Sequence, residues 1–352
     1  MTPTPDSPGT LADAIPLAEF QERRRRVLEA LGDSVGVVFA GDGAPPLRGR
    51  WTPDWSFYYL TGIKDEQGAA VLFDPTADDP RRRCVLFLRP LNPELEAWDG
   101  YREKISQALK SQHGFETVLR TTYFARTVGT ALRKAKKASL LHPVALPESP
   151  VQADLALFRK AGERMVGLSI EDRVDLLPSM RAVKSERELA LMQRAADATA
   201  LGYAAVLKML RPGVRERDVQ RALEDGFASG GAEETAYNSI VGSGLNATVL
   251  HYNANTGACA EGELLVIDAG ASFRGYACDV TRTYPVSGRF TPEQRGLYTV
   301  VLRAQEAAIA AAKPGAFMHE VDRAARDVIA RAGLEDFYIH GIGHQLGLEV
   351  HD

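Results

Sequence analysis

Cysteine is scarce in this chain: Cys84, Cys259 and Cys278 are the only three among 352 residues. So sparse and odd a set excludes a disulfide-stapled scaffold and points to a reducing, cytoplasmic compartment. No apolar run reaches the length of a membrane span. Met1 to Thr10 is rich in Pro, Ser and Thr and has no apolar centre, so it reads as a floppy leader and not as a signal peptide. Charge of neither sign dominates. The net value is −4, with acids and bases interspersed, which excludes the electrostatic footprint of a nucleic-acid or anionic-membrane partner. One dense basic run exists, Arg23-Arg24-Arg25-Arg26. It sits in a helical pattern with Phe20, Val27, Leu28 and Leu31 and predicts a solvated helix face.

What is present is ordinary globular composition, 45% hydrophobic and 25% charged, in a chain too long for one simple core. The pattern divides near residue 175, giving domains 1–175 and 176–352. In the first, strands are expected over 35–40, 69–73, 84–88 and 139–142. Helices are expected over 18–31, 93–97, 101–112, 124–136 and 152–161. That alternation is an α/β domain, with no Gly-rich phosphate loop, CxxC pair or clustered histidine. Arg173 to Ser179, containing Pro178, reads as the linker, and a long helix pattern starts at Ser185.

The second half repeats itself after 102 residues. Arg211-Pro212-Gly213 aligns with Lys313-Pro314-Gly315, and Val219, Arg221, Ala222, Asp225 and Ala228 with Val321, Arg323, Ala324, Asp327 and Ala330. Each copy reads as a long helix, a Pro-Gly turn and a shorter helix. The first copy then runs through Tyr237–Gly244 and His251 into Leu264–Gly270 and Gly275–Thr283, two β-rich runs around a reversal at Ser272-Phe273-Arg274-Gly275. With the turn centred between Phe273 and Arg274, Asp268 faces Asp279 across the ladder. Two facing carboxylates repel, so a shared cation or proton is expected. Counterparts of these aspartates in the second copy fall past Asp352, which predicts a further segment carrying a second hairpin. Without it, the strand bearing Asp268 is expected to present an unpaired or poorly covered edge.

Four of the seven histidines, His251, His340, His344 and His351, lie in this half near the aspartates. His340 and His344 flank Gly341 and Gly343, and that much glycine favours a strand or loop over a helical pair. An imidazole beside two carboxylates is a mixed nitrogen and oxygen donor set, suited to Mn²⁺, Fe²⁺, Co²⁺ or Zn²⁺.

Asp268-Ala269-Gly270, Cys278-Asp279-Val280-Thr281-Arg282-Thr283, Tyr237–Gly244, Leu250-His251-Tyr252 and His340–Asp352 together resemble the pita-bread metallopeptidases, in the Xaa-Pro aminopeptidase and prolidase branch. The first half resembles that branch's N-terminal domain, mainly through Phe57–Gly62. The resemblance implies an α+β protein: an N-terminal α/β domain, then a pseudo-twofold pita-bread catalytic domain whose C-terminal part is absent from this sequence. It implies two divalent ions, commonly Mn²⁺, with Zn²⁺ or Co²⁺ as alternatives. Asp268, Asp279 and His344 would be ligands, Asp279 bridging the ions. Two further family ligands are glutamates, without counterparts before Asp352.

The same resemblance casts His251 and His351 beside the cluster as substrate-contacting and proton-handling groups, with His340 a nearby helper. Tyr237 would line the pocket for the first substrate residue, and Trp98 would reach substrate, in the family's manner from a neighbouring subunit. The implied activity is a metal-dependent exopeptidase in which a metal-bridged hydroxide cleaves the bond before proline. The implied partner is a peptide with proline in second position, and the implied assembly a homodimer or homotetramer. The alternatives are a prolidase restricted to dipeptides, or a catalytically dead binding module.

Overall fold

The computed structural model describes residues 14–43, 51–143, 148 and 150–352; the leader expected over Met1–Thr10 lies outside them. Two compact units emerge, one ending at Arg187 and the other spanning Glu188–Asp352.

The first unit contains α1 (Leu17–Leu31), β1 (Val35–Phe39), α2 (Trp55–Thr61), β2 (Ala70–Phe73), β3 (Cys84–Leu88), α3 (Pro93–Asp99), α4 (Gln107–His113), β4 (Thr117–Arg120), α5 (Phe124–Ala135), β5 (Lys137–Leu140), α6 (Ala153–Gly162), β6 (Ser169–Asp172) and α7 (Leu176–Ala182). Its six strands form one mixed sheet in the order β4-β3-β2-β1-β5-β6, antiparallel from β1 to β3 and parallel elsewhere. The central strands β2 and β3 are near-continuous apolar runs because both their faces are buried.

Two expectations fail in this unit. The basic run on α1 is not wholly a solvated face, since Arg23 and Arg24 are each only 3% exposed. They donate to the carbonyls of Tyr59 and Leu60 at the C-terminal end of α2, and lie over the rings of Tyr59 and Phe115. A guanidinium can be buried there because orphan carbonyls at a helix end accept its N–H groups and the dipole favours its charge. The supposed linker over 173–179 is largely helix α7. Its Leu177 and Met180 are buried, and the Met180 carbonyl accepts the Tyr59 hydroxyl at 3.0 Å.

The long helix α8 (Glu186–Met209) leads into the second unit, followed by α9 (Glu216–Ser229), β7 (Glu234–Thr235), β8 (Ile240–Ser243), β9 (Leu264–Ala269), β10 (Ala271–Phe273), β11 (Tyr276–Ala277), β12 (Val280–Pro285), α10 (Pro292–Ala311) and α11 (Met318–Arg331). The 102-residue repeat recurs in the fold: α11 begins and ends 102 residues after α9, and α10 ends 102 residues after α8. The strands form two small sheets, β11-β10-β7 and β12-β9-β8. Strand β9, which carries Asp268, is therefore central, paired with β8 on one side and β12 on the other. The unpaired edge expected for it does not exist, because β8 occupies that side.

Helices α8 and α9 pack on the sheets through Tyr203, Val206, Leu223 and Phe227 against Leu265, Ile267 and Ala269. They approach so closely that a Cβ on Gly226 would stand 2.4 Å from the Gly202 Cα.

Candidate metal centre

The aspartate hairpin is built around a two-residue turn, Arg274-Gly275, with both residues at positive φ (53° and 87°). That is the turn type whose twist suits a hairpin. Its position sets the register. Phe273 pairs with Tyr276, and further down Asp268 pairs with Thr281. The direct Asp268–Asp279 pairing expected from the sequence is thus displaced by two residues, because the chain places its glycine at the second turn position. Side chains alternate with a period of two, so a two-residue shift leaves both acids on one face as diagonal neighbours. Between them the ladder squeezes at Gly270, where a Cβ would stand 1.6 Å from the Cys278 carbonyl oxygen.

The Tyr237 hydroxyl sits between the carboxylates, within hydrogen-bond reach of Asp268 Oδ1 at 2.5 Å and Asp279 Oδ1 at 2.9 Å. Its backbone is held close by the Ala236 N–H, which donates to the Gly270 carbonyl. Burial raises the Asp268 carboxyl above its ordinary pKa; the Tyr237 hydroxyl opposes that shift and the Asp279 charge adds to it. The Tyr237 phenol is itself pushed far up, first by burial and then by the two acids. Both shifts are led by burial, and the neighbouring negative charge adds to them.

His344 enters from the loop after α11. The Ala277 N–H on β11 donates to the Gly347 carbonyl and ties that loop to the hairpin. The imidazole Nδ1 lies 2.9 Å from the Gln345 carbonyl, which can only accept, so Nδ1 carries the proton. Nε2 then points at Asp279, 3.3 Å from Oδ2. An imidazole oriented by a backbone carbonyl through one nitrogen, with the other aimed at a carboxylate, is the arrangement metal-ligating histidines adopt. His351 packs edge-on against His344, ring centroids 4.2 Å apart.

Among the described residues no three His, Cys, Asp or Glu side chains converge as a formed coordination shell. What exists is two pairwise approaches, Asp268 with Asp279 and Asp279 with His344. Their donor chemistry fits a divalent ion: two hard carboxylates, one with a raised pKa that a cation would relieve, and a pre-oriented imidazole.

The other expected residues are more dispersed. His251 is exposed in the turn after β8, with Tyr252 donating its N–H to the Val249 carbonyl. His340 is exposed, its Nδ1 donating to the neighbouring Gly341 carbonyl. His340 and His344 stand in loop and not in a strand. Trp98 lies on α3 of the first unit, 88% exposed. Sequence reasoning did not single out Thr281, directly across from Asp268, nor the buried Glu216. Only the register would have found the first. The second carried a sequence signal, an acid at a helix start, but that position is ordinarily a capping position.

Residues 190–352 match the model of Metallopeptidase family M24, and residues 20–141 that of the Aminopeptidase P N-terminal domain. The chain is 34% identical to the Xaa-Pro aminopeptidase of Haemophilus influenzae, over 96% of this chain and 81% of that protein. It is 30% identical to the Xaa-Pro aminopeptidase of Escherichia coli, over 95% and 81%. Among solved structures it is similar to proline aminopeptidase P II from Yersinia pestis, with a TM-score of 0.82 at 28% identity, covering 96% of this chain and 83% of that one.

Proposed function

The chain belongs to metallopeptidase family M24, in its Xaa-Pro aminopeptidase branch, and on that premise we propose that Asp268, Asp279 and His344 hold divalent metal beside a pocket for Xaa-Pro peptides. It is a metal-dependent aminopeptidase that removes an N-terminal residue preceding proline. Mn²⁺ is the ion we assign. The observation that carries the site is the convergence of two like-charged carboxylates on one hydroxyl, with an oriented imidazole at the second.

Bound ions would supply an activated water at neutral pH and polarise the scissile carbonyl. The residues divide the remaining work. His344 is held in one tautomer by Gln345, so its Nε2 is ready as a donor atom. The Tyr237 hydroxyl keeps the two acids together before a cation arrives. His251 and His351 act on the substrate side, holding or moving a proton as the tetrahedral intermediate forms and collapses. His340 assists, Tyr237 borders the pocket, and Trp98 would reach the pocket of a neighbouring subunit. Proline's tertiary amide has no N–H and a restricted φ, so the bond before it needs a shaped pocket. The names of the relatives favour an aminopeptidase over a dipeptidase. The three cysteines are all free, which supports a cytoplasmic setting, and a homodimer or homotetramer is the assembly we assign.

The test is metal content alongside turnover. Asp279→Asn abolishes bound Mn²⁺ and hydrolysis of an Xaa-Pro peptide while circular dichroism stays unchanged. His251→Ala and His351→Ala each lower kcat by about 10²-fold with metal stoichiometry retained. Full metal occupancy in the Asp279 variant overturns the ligand assignment; metal lost together with activity in the histidine variants makes them ligands.

A further inference from the structure

Glu216, the first residue of α9, is fully buried, yet among the described residues its carboxylate is hydrogen-bonded by neutral donors and by no Lys or Arg side chain. Oε1 accepts the Ser243 N–H and the Asn246 side-chain amide, both at 2.9 Å. Oε2 accepts the Tyr252 hydroxyl at 2.9 Å and the Gly257 N–H at 2.6 Å. Four donors on two oxygens is the full satisfaction a buried carboxylate requires. All four come from the end of β8 and the segment that follows it. A Cβ on Gly257 would stand 2.8 Å from Glu216 Oε1, so a larger residue there would push on the carboxylate.

The contact continues along the helix. Glu216, Gln220 and Glu224 are spaced four apart and share one face of α9. Ser239, Val241 and Ser243 alternate along the facing chain. The Ser239 hydroxyl donates to Glu224 at 2.8 Å. Buried Asn255 bridges the middle, accepting the Val241 N–H and donating to Gln220 Oε1 and the Ser239 carbonyl. Four helical residues rise about 6 Å and two strand residues about 6.6 Å. The two columns therefore stay in step, and one polar seam fastens 239–257 to α9.

That segment connects two groups of the site. Tyr237 lies just before it, on the aspartates, and His251 lies within it. His251 is exposed, and the next residue, Tyr252, is the one whose ring reaches Glu216 and also accepts from Asn246.

We propose that Glu216 is a positioning residue that fixes His251 through Tyr252, so that the substrate-side imidazole is presented from a pre-set loop. This rests on the role given to His251 above. A carboxylate is needed because each neighbour is a donor; Glu216→Gln would turn an N–H₂ toward one donor pair.

The experiment uses the metal-loaded full chain with an Xaa-Pro peptide. Glu216→Gln lowers kcat by about 10- to 100-fold, the scale of a displaced catalytic group, with KM changed less than threefold. In a His251→Ala background the same substitution has no further effect on kcat. Hydrogen exchange over 244–257 accelerates in Glu216→Gln at unchanged metal stoichiometry. Tyr252→Phe removes the hydroxyl that donates to Glu216 and accepts from Asn246 and Thr256 while leaving Glu216 its other three donors; it gives a kcat loss of the same kind and serves if Glu216→Gln does not fold. Equal losses in the parent and His251→Ala backgrounds, or unchanged exchange, overturn the proposal. An unimpaired His251→Ala enzyme instead overturns the role of His251, and the exchange result reads the anchor independently of it.

Discussion

A carboxylate pair on one face of a hairpin is a liability until a cation neutralises it, and Asp268 carries that cost visibly. Burial raises its pKa above the unfolded value, so folding favours the protonated form. The stability this contributes is complete below the unfolded pKa of about 3.9 and is lost as pH rises through the folded value. In metal-free protein, Asp268→Asn should therefore melt higher than the parent at pH 7, and the gap should close below about pH 4. Thermal melts across that range check it. A gap that widened toward acid would mean the carboxylate is stabilised in its charged form. Glu216 is the contrasting case, a buried acid made tolerable by four donors instead of by a metal. Asp268 was legible in the sequence from its apolar surroundings. Glu216 was not, because its partners lie 27 to 41 residues away.

Elements here are fixed by a few close approaches that tolerate no extra atom. Gly270→Ala should destabilise the chain by more than about 3 kcal/mol, because relieving a carbonyl clash in a central ladder requires backbone movement. Loss of soluble protein, or a fall of that size in urea unfolding, is the expected outcome; a near-neutral variant would mean that the hairpin can bend there. On α1, Arg24→Ala should cost about 2–4 kcal/mol, the scale of stranding buried partners of a charged donor and losing a cation–π contact. Arg26→Ala, at an exposed position on the same helix, should stay within about 0.5 kcal/mol. Unfolding midpoints of the two variants side by side decide the matter. The strands over 84–88 and 70–73 were readable as apolar runs. Strands β4 and β6 were not, since Thr117–Arg120 and Ser169–Asp172 are polar segments recruited by parallel neighbours.

For the whole molecule, metal binding and folding are linked. An ion that binds only the folded state stabilises by about 2.7 kcal/mol at a hundredfold excess over Kd. Mn²⁺ titration should raise Tm in the parent in a concentration-dependent way and leave Asp279→Asn flat. A parent Tm indifferent to Mn²⁺ would separate the ion from the Asp268, Asp279 and His344 cluster.

The sequence by itself determined the family, the repeat and the two aspartates. Those are properties of residue type and spacing: a 102-residue offset and an acid inside an apolar strand survive any choice of partner. Only the tertiary structure decided which residue faces which. The Arg274-Gly275 turn placed Thr281 and not Asp279 across from Asp268. Strand β8 turned a supposed edge into a central strand, and the carbonyls ending α2 drew two arginines into the interior. Register, edge occupancy and burial of charge depend on contacts between segments distant in sequence, whose free energies no local pattern encodes.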